Sequence, residues 1–183
     1  MSISSSVSNS INAPRAYRLP SLERPTVSGL KGAFSCFPSG VVAICSMIQG
    51  EPVGMVASTF TPVSLDPPLV SVCMDRQSST WPRLRNANAL GISVLSEEQG
   101  TMCRQLSSKF LERFNGLQLQ VSDSGAAFIE GASATFDCTI DSVIPAGDHF
   151  LVLLWIQALK SHLDQVPLVY HGSSFKQLKG VVG

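Results

Sequence analysis

Apolar runs of strand length, broken by Gly, Pro and Ser clusters, dominate this chain. Val41 to Ile48 is β-branched and apolar, so a strand is predicted there. Gln49-Gly50-Glu51-Pro52 reads as a turn and Val53 to Phe60 as a second strand, completing a hairpin. Pro62 to Pro68 reads as a loop, because prolines remove ladder donors and fix the backbone. Leu69 to Met74 and Leu90 to Leu95 are two further strands. Ala132 to Ile144 alternates through Ala134, Phe136, Cys138 and Ile140, the pattern of a long half-buried strand. Pro145-Ala146-Gly147-Asp148 is a turn. His149 to Ala158 is a strand whose composition predicts burial on both faces, and Leu168 to Tyr170 is a short final strand.

Helical signals are few. A short helix is predicted from Leu30 to Phe37, ended by Pro38-Ser39-Gly40. Ser78-Ser79-Thr80 opens another, with Pro82 in its first turn. Ser96 is a good N-cap with Glu97 and Glu98 behind it, and Leu106 lies one helical period from Met102 and Cys103. Residues 97–108 are therefore predicted as a helix. Lys109 to Gly125 reads as a polar connection. Roughly six or seven strands linked by turns, without βαβ alternation, argue for a mainly β, antiparallel barrel with short helices.

Composition narrows the class. The chain has 183 residues, 44% hydrophobic and only 14% charged, which is ample for one core and lean for a solvated surface. Part of that surface is expected to be buried in an oligomer. Thirteen basic and 13 acidic residues leave no basic excess, so neither nucleic acid nor an anionic membrane is an expected partner. The longest apolar stretch, Phe150 to Ile156, is strand-sized, so no membrane span is expected. Residues 1–28 are polar and Ser-rich without the pattern of a secretory signal, and are expected to be a flexible extension before one domain over 29–183. Arg15, Arg18 and Arg24 only faintly suggest an organelle transit segment.

Five cysteines, an odd number without a CxxC pair, fit a reducing cytoplasm better than a disulfide framework. Cys45 and Cys73 sit in apolar runs and are expected to be buried. Cys103, on a predicted helix, is the candidate exposed thiol.

Familiar catalytic signatures are missing. There is no GxGxxG, GxxxxGK[ST] or GxSxG, and the carboxylates form no acid/base pair. His149, His162 and His171 stand singly, so no metal site is expected.

The informative stretch is Gly54 to Thr80. Hydroxyl clusters at Ser58-Thr59, Ser64 to Asp66 and Ser78-Ser79-Thr80 alternate with apolar runs there. Such a pattern sets hydroxyls and backbone N–H groups at strand ends, where an anionic or heterocyclic ligand can lie. Phe37-Pro38-Ser39-Gly40-Val41-Val42, Gly54-Met55-Val56-Ala57-Ser58-Thr59-Phe60 and Val63-Ser64-Leu65-Asp66-Pro67-Pro68 follow one another in order. Ser78-Ser79-Thr80, Gly147-Asp148-His149 and Pro167-Leu168-Val169-Tyr170 complete the series. Together they resemble the short-chain flavin reductases over roughly Phe34 to Phe175. Departures fall at Leu90, Ser93 and Phe110.

The resemblance implies an FMN-binding split barrel of Greek-key type and a homodimer with flavin near the subunit interface. It also implies NADH- or NADPH-dependent reduction of FMN, with FAD possible, and release of reduced flavin to a partner monooxygenase. Met55, Val56, Ala57, Ser58, Thr59, Ser64, Asp66, Pro67, Ser78, Ser79 and Thr80 are the implied cofactor-binding residues, with Lys109 or Arg113 as counter-charge. The plain alternatives are a helix cap for Ser78-Ser79-Thr80, outward strand residues for Ser58 and Thr59, and solvated charge for Lys109 and Arg113. His149 is the candidate catalytic residue, orienting the nicotinamide, or else a turn histidine held by Asp148. Asp66 is alternatively the pin of its own loop through an Asx-turn. Two rival readings remain. One is a flavoprotein of the same fold with other chemistry or a storage or sensing role; the other is a non-catalytic interaction domain.

Overall fold

The computed structural model describes Tyr17, residues 22–108 and residues 112–178. The first half runs α1 (Val27–Ser35), β1 (Ser39–Gly40), β2 (Val42–Ile48), β3 (Glu51–Ala57), β4 (Thr61–Leu65), β5 (Pro68–Asp75), α2 (Trp81–Leu84) and β6 (Leu90–Val94). A 3-10 turn (Glu97–Gln99) leads into α3 (Gly100–Leu106). Then come β7 (Leu119–Val121), β8 (Ala126–Ile129), β9 (Ala134–Ala146), β10 (His149–Ser161), β11 (Val169–His171) and β12 (Ser174–Lys176). Helix α1 starts inside the stretch expected to be a flexible extension.

The predicted antiparallel barrel is present. Its strands pair in the order β3-β2-β6-β9-β10-β5, and β4 extends β5 at one edge. Strand β2 is hydrophobic throughout because both its faces are buried. Val42 and Ile44 point into the barrel with Val72, Leu90 and Val152. Ala43 and Cys45 point outward into a second core under α3, with Leu95, Cys103 and Leu106. Gln49 and Gly50 both take positive φ, 54° and 82°, as a two-residue hairpin loop between β2 and β3 requires.

Strands β9 and β10 have 13 residues each. Register shifts at Asp141 and Gln157 let them bend around the barrel. Strand β8 crosses over β6 at Gly91, where any Cβ would collide with the Ala127 carbonyl. The buried Ser93 hydroxyl accepts the Ile129 N–H at 3.0 Å and fixes that crossing.

No ladder among the described residues joins β3 to β5, so the barrel is split along that seam. One side chain bridges it. Thr59 Oγ1 accepts the Cys73 N–H at 2.9 Å and donates to the Cys73 carbonyl at 3.3 Å.

Several local expectations fail for tertiary reasons. Pro62 to Pro68 is not a loop: β4 pairs with β5, bulged at Val63, and the turn is only Asp66-Pro67. Pro62 is tolerated because β4 is an edge strand. The polar connection contains β7, which pairs with β8, another strand too short to read from its pattern. The helix over 97–108 divides into the 3-10 turn and α3, although its capping box between Ser96 and Gln99 forms. The turn after β9 is only Gly147-Asp148, since Pro145 and Ala146 remain paired. Strand β10 is buried on one face only: Val152 and Leu154 face the core while Trp155 and Leu159 are exposed.

Gly91→Ala should lower the melting temperature by roughly 3–10 °C, the range for overpacking a filled site in a chain of this size. An unchanged melting curve would refute the crossing. Thr59→Val should destabilise the ligand-free protein by about 1 kcal/mol, and Thr59→Ser much less. A Val variant as stable as the parent in denaturant titration would show that the seam does not need the hydroxyl.

Candidate functional site

A cleft of about 570 Å3 opens at the end of β3. Its floor is apolar, from Val41, Val56 and Ala57. Its rim carries the hydroxyls of Ser58, Ser107, Ser173 and Ser174 and the guanidinium of Arg104. Arg104 is held over the Phe175 ring, with 5.3 Å from Cζ to the centroid, and Tyr170 packs edge-on against the same ring. No carboxylate is among the described lining residues. An apolar floor, hydroxyl donors and one cation suit a heterocycle bearing an anionic group, and a flavin nucleotide fits that description.

A second cluster lies further back on β3. Arg113 Nη1 donates to Thr80 Oγ1 at 3.1 Å and to the Gly54 carbonyl at 3.4 Å. Gly54 has no room for a side chain: a Cβ there would come within 2.5 Å of Cys45 Sγ and 2.9 Å of the Phe114 ring. That close approach seats Phe114, and with it Arg113, over β3.

The flavin reductase like domain family matches residues 34–179 of this sequence. The chain belongs to that family. A flavin reductase of Pseudomonas putida is 36% identical over 140 residues, 76% of this chain and 82% of that protein. The reductase subunit HsaB of a Rhodococcus jostii flavin-dependent monooxygenase is 30% identical over 139 residues, 76% of this chain and 71% of that one. Among solved structures, the Streptomyces globisporus NADH:FAD oxidoreductase SgcE6, in complex with NAD and FAD fragments, superposes with a TM-score of 0.83. It is 28% identical and covers 90% of this chain and 100% of its own.

In this flavin reductase-like domain the expected site residues fall into separate places. Val56, Ala57 and Ser58 line the cleft. Met55 instead packs against the barrel core, and Thr59 is engaged at the seam. Ser64 sits in β4, with Asp66 and Pro67 exposed in the turn that follows.

Ser78 Oγ accepts the N–H groups of Thr80 (3.3 Å) and Trp81 (3.2 Å), so it caps the turn while Ser79 is exposed. Helix α2 has only four residues, too short to supply a useful dipole. Arg113 is half-buried and bonded, unlike a solvated surface charge. Lys109 lies outside the described residues.

His149 stands at the tip of the β9–β10 hairpin, away from the cleft lining. Its Nδ1 is 2.7 Å from Asp148 Oδ1. The hydrogen bond to His149, then the charges of His149 and Arg76, hold the Asp148 carboxyl below its usual range. The Asx-turn forms at Asp75, whose Oδ1 accepts the Gln77 N–H at 2.7 Å.

Arg104, Tyr170, Ser173 and Phe175 were not among the expected site residues. A helix-face spacing joins Arg104 to Ser107, and the Gly172-Ser173 pair between short apolar runs is a hairpin signal. Neither signal says that the two elements meet.

Cysteine burial differs from expectation. Cys103 is buried and Cys73 half-exposed. Burial raises the Cys103 thiol above its ordinary range, against the opposing effects of Ser107 and Arg104. Cys103 is thus a neutral wall of the cleft, not a thiolate nucleophile. Burial pushes Cys45 and Cys138 up to about 12, Cys138 with help from Asp137. A thiol reagent at neutral pH should label exposed Cys36 first. Cys45, Cys103 and Cys138 should react only on unfolding, and rapid labelling of Cys103 in the native protein would contradict its placement.

Proposed function

We propose that this chain is an NAD(P)H-dependent flavin reductase that supplies reduced flavin to a separate monooxygenase. The observation that carries the reading is the carboxylate-free cleft at the end of β3, in a chain whose residues 34–179 match the family. When bound, nicotinamide and flavin supply the hydride donor and acceptor between them. The chain's own part is to bind, orient and exclude water. Val41, Val56 and Ala57 offer a dry floor. Ser58 and Arg104 offer donors at the rim, and Thr80 with Arg113 a second polar patch on β3. The absence of an acid/base pair in the sequence agrees with chemistry that needs no protein nucleophile.

FMN is the preferred flavin in this reading, with FAD accepted and NADH or NADPH as donor. Ser64, Asp66, Pro67, Ser78, Ser79, Thr80 and Arg113 are assigned to the flavin, and His149 to the nicotinamide. These groups lie on separate elements of one chain. A homodimer that brings elements of two copies together is part of the proposal. The exposed apolar outer face, with Ile144 and Trp155 on β9 and β10, supports it, as do the exposed Val63 and Leu65 of the edge strand β4. Five free cysteines support a reducing compartment such as the cytoplasm. Among the described residues, no helix is long and apolar enough to cross a membrane.

Oxidation of NADH and NADPH by the purified protein, followed with and without FMN, FAD or riboflavin, tests the reading. The expected result is oxidation that saturates with added FMN. Tight flavin binding with no oxidation of either nicotinamide would replace the reductase by a flavoprotein of other chemistry.

A further inference from the structure

A second cavity, of about 340 Å3, adjoins the cleft. Ser58, Tyr170 and Ser173 line both, so the two spaces meet at the end of β3. The outer wall of the smaller cavity is the end of α1, through Lys31, Phe34 and Phe37. Its described lining has two phenylalanine rings and the His171 imidazole besides Tyr170, one lysine and no carboxylate. Rings and a cation without opposing acids complement a ligand that has a stackable base and phosphates.

Helix α1 is itself unusual. Its sequence specifies it locally: Thr26 Oγ1 accepts the Gly29 N–H at 3.1 Å as an N-cap. Yet none of its nine residues is buried, and Phe34 and the following Phe37 are 70% and 77% exposed. A helix this short is marginal without packing. Among the described residues it is fastened at its C-terminal end, where the Ser35 carbonyl accepts the Gly172 N–H at 3.0 Å and β1 pairs with β11. The fastening holds Lys31 and Phe34 beside the open cavity.

We propose that the smaller cavity takes the adenosine and phosphate part of the nicotinamide dinucleotide, that Lys31 engages the phosphates, and that Phe34 and Phe37 pack on the adenine. This inference rests on the reductase reading and adds the place and recognition of the second substrate. Two adjoining compartments sharing Tyr170 and Ser58 are what a transfer between two rings requires, since both must be held in contact at once. Binding would also supply the burial that α1 lacks.

The test compares Lys31→Ala, Lys31→Glu and Lys31→Arg with the parent. Lys31 is exposed, so all should melt like the parent. Lys31→Ala should raise the KM for NADH on the order of fivefold to tenfold, and Lys31→Glu further. The KM for FMN and kcat at saturating NADH should stay unchanged, and Lys31→Arg should restore most of the loss. Binding of NAD+ by saturation-transfer NMR, in the parent and in Lys31→Glu, reads the site without turnover. An unchanged KM for NADH and unchanged NAD+ binding in Lys31→Glu would overturn the proposal. A rise in the KM for FMN alone would overturn the assignment of the two cavities. If the parent oxidises no nicotinamide with any flavin, the reductase reading fails. NAD+ binding that Lys31→Glu weakens would still uphold this site, and its absence would reject it.

Discussion

Thr59 closes the barrel with a side chain where a ladder would otherwise run, and the site depends on that substitution. Among the described residues, strand β3 pairs with β2 on one edge and with no strand on the other. Were β5 zipped to its other edge, the backbone from Gly54 to Ser58 would be consumed by sheet hydrogen bonds. Instead the Thr59 hydroxyl satisfies both polar groups of Cys73 and stops there. The remaining edge of β3 is left for other partners. Arg113 takes the Gly54 carbonyl, and the cleft opens at Ser58. An unpaired edge is ordinarily an aggregation hazard. Here the Arg113 side chain covers it at Gly54.

Close packing at two glycines sets the rest of the geometry. Gly54 lets Phe114 and Cys45 meet above the strand, which brings Arg113 to Thr80. Gly91 lets β8 cross β6, so that the second core under α3 can form. That core buries Cys103 and Leu106 and thereby orients α3, leaving Arg104 and Ser107 facing the cleft. A methyl group at either glycine would act on the site through packing, without touching any ligand.

The chemistry of the site follows from what lines it. Hydroxyls, one guanidinium and apolar walls line it, and the buried Cys103 thiol stays neutral. A chain with this lining contributes position and dryness, and leaves electron movement to bound cofactors. Its outer sheet face, left open by the described residues, carries apolar side chains such as Ile144 and Trp155 that another surface could cover.

Elements whose signals are local were legible along the chain. The β2–β3 hairpin, the long β9–β10 pair, the cap at Ser96 and the ordered motifs from Phe37 to Tyr170 could all be read from runs, turn residues and spacing. Tertiary structure alone decided what distant partners decide. Thr59 looked like a ligand residue because its partner Cys73 lies on another strand. Cys103 looked exposable because nothing local says which face of its helix packs, yet the second core claims it. Pro62 looked like a loop residue because nothing local marks an edge strand. Strand β10 looked buried on both faces because composition registers apolar content and not which face another element covers. Periodicity reports a residue's own burial preference, whereas hydrogen-bond partners, edges and cavities arise only when segments far apart in the chain are brought together.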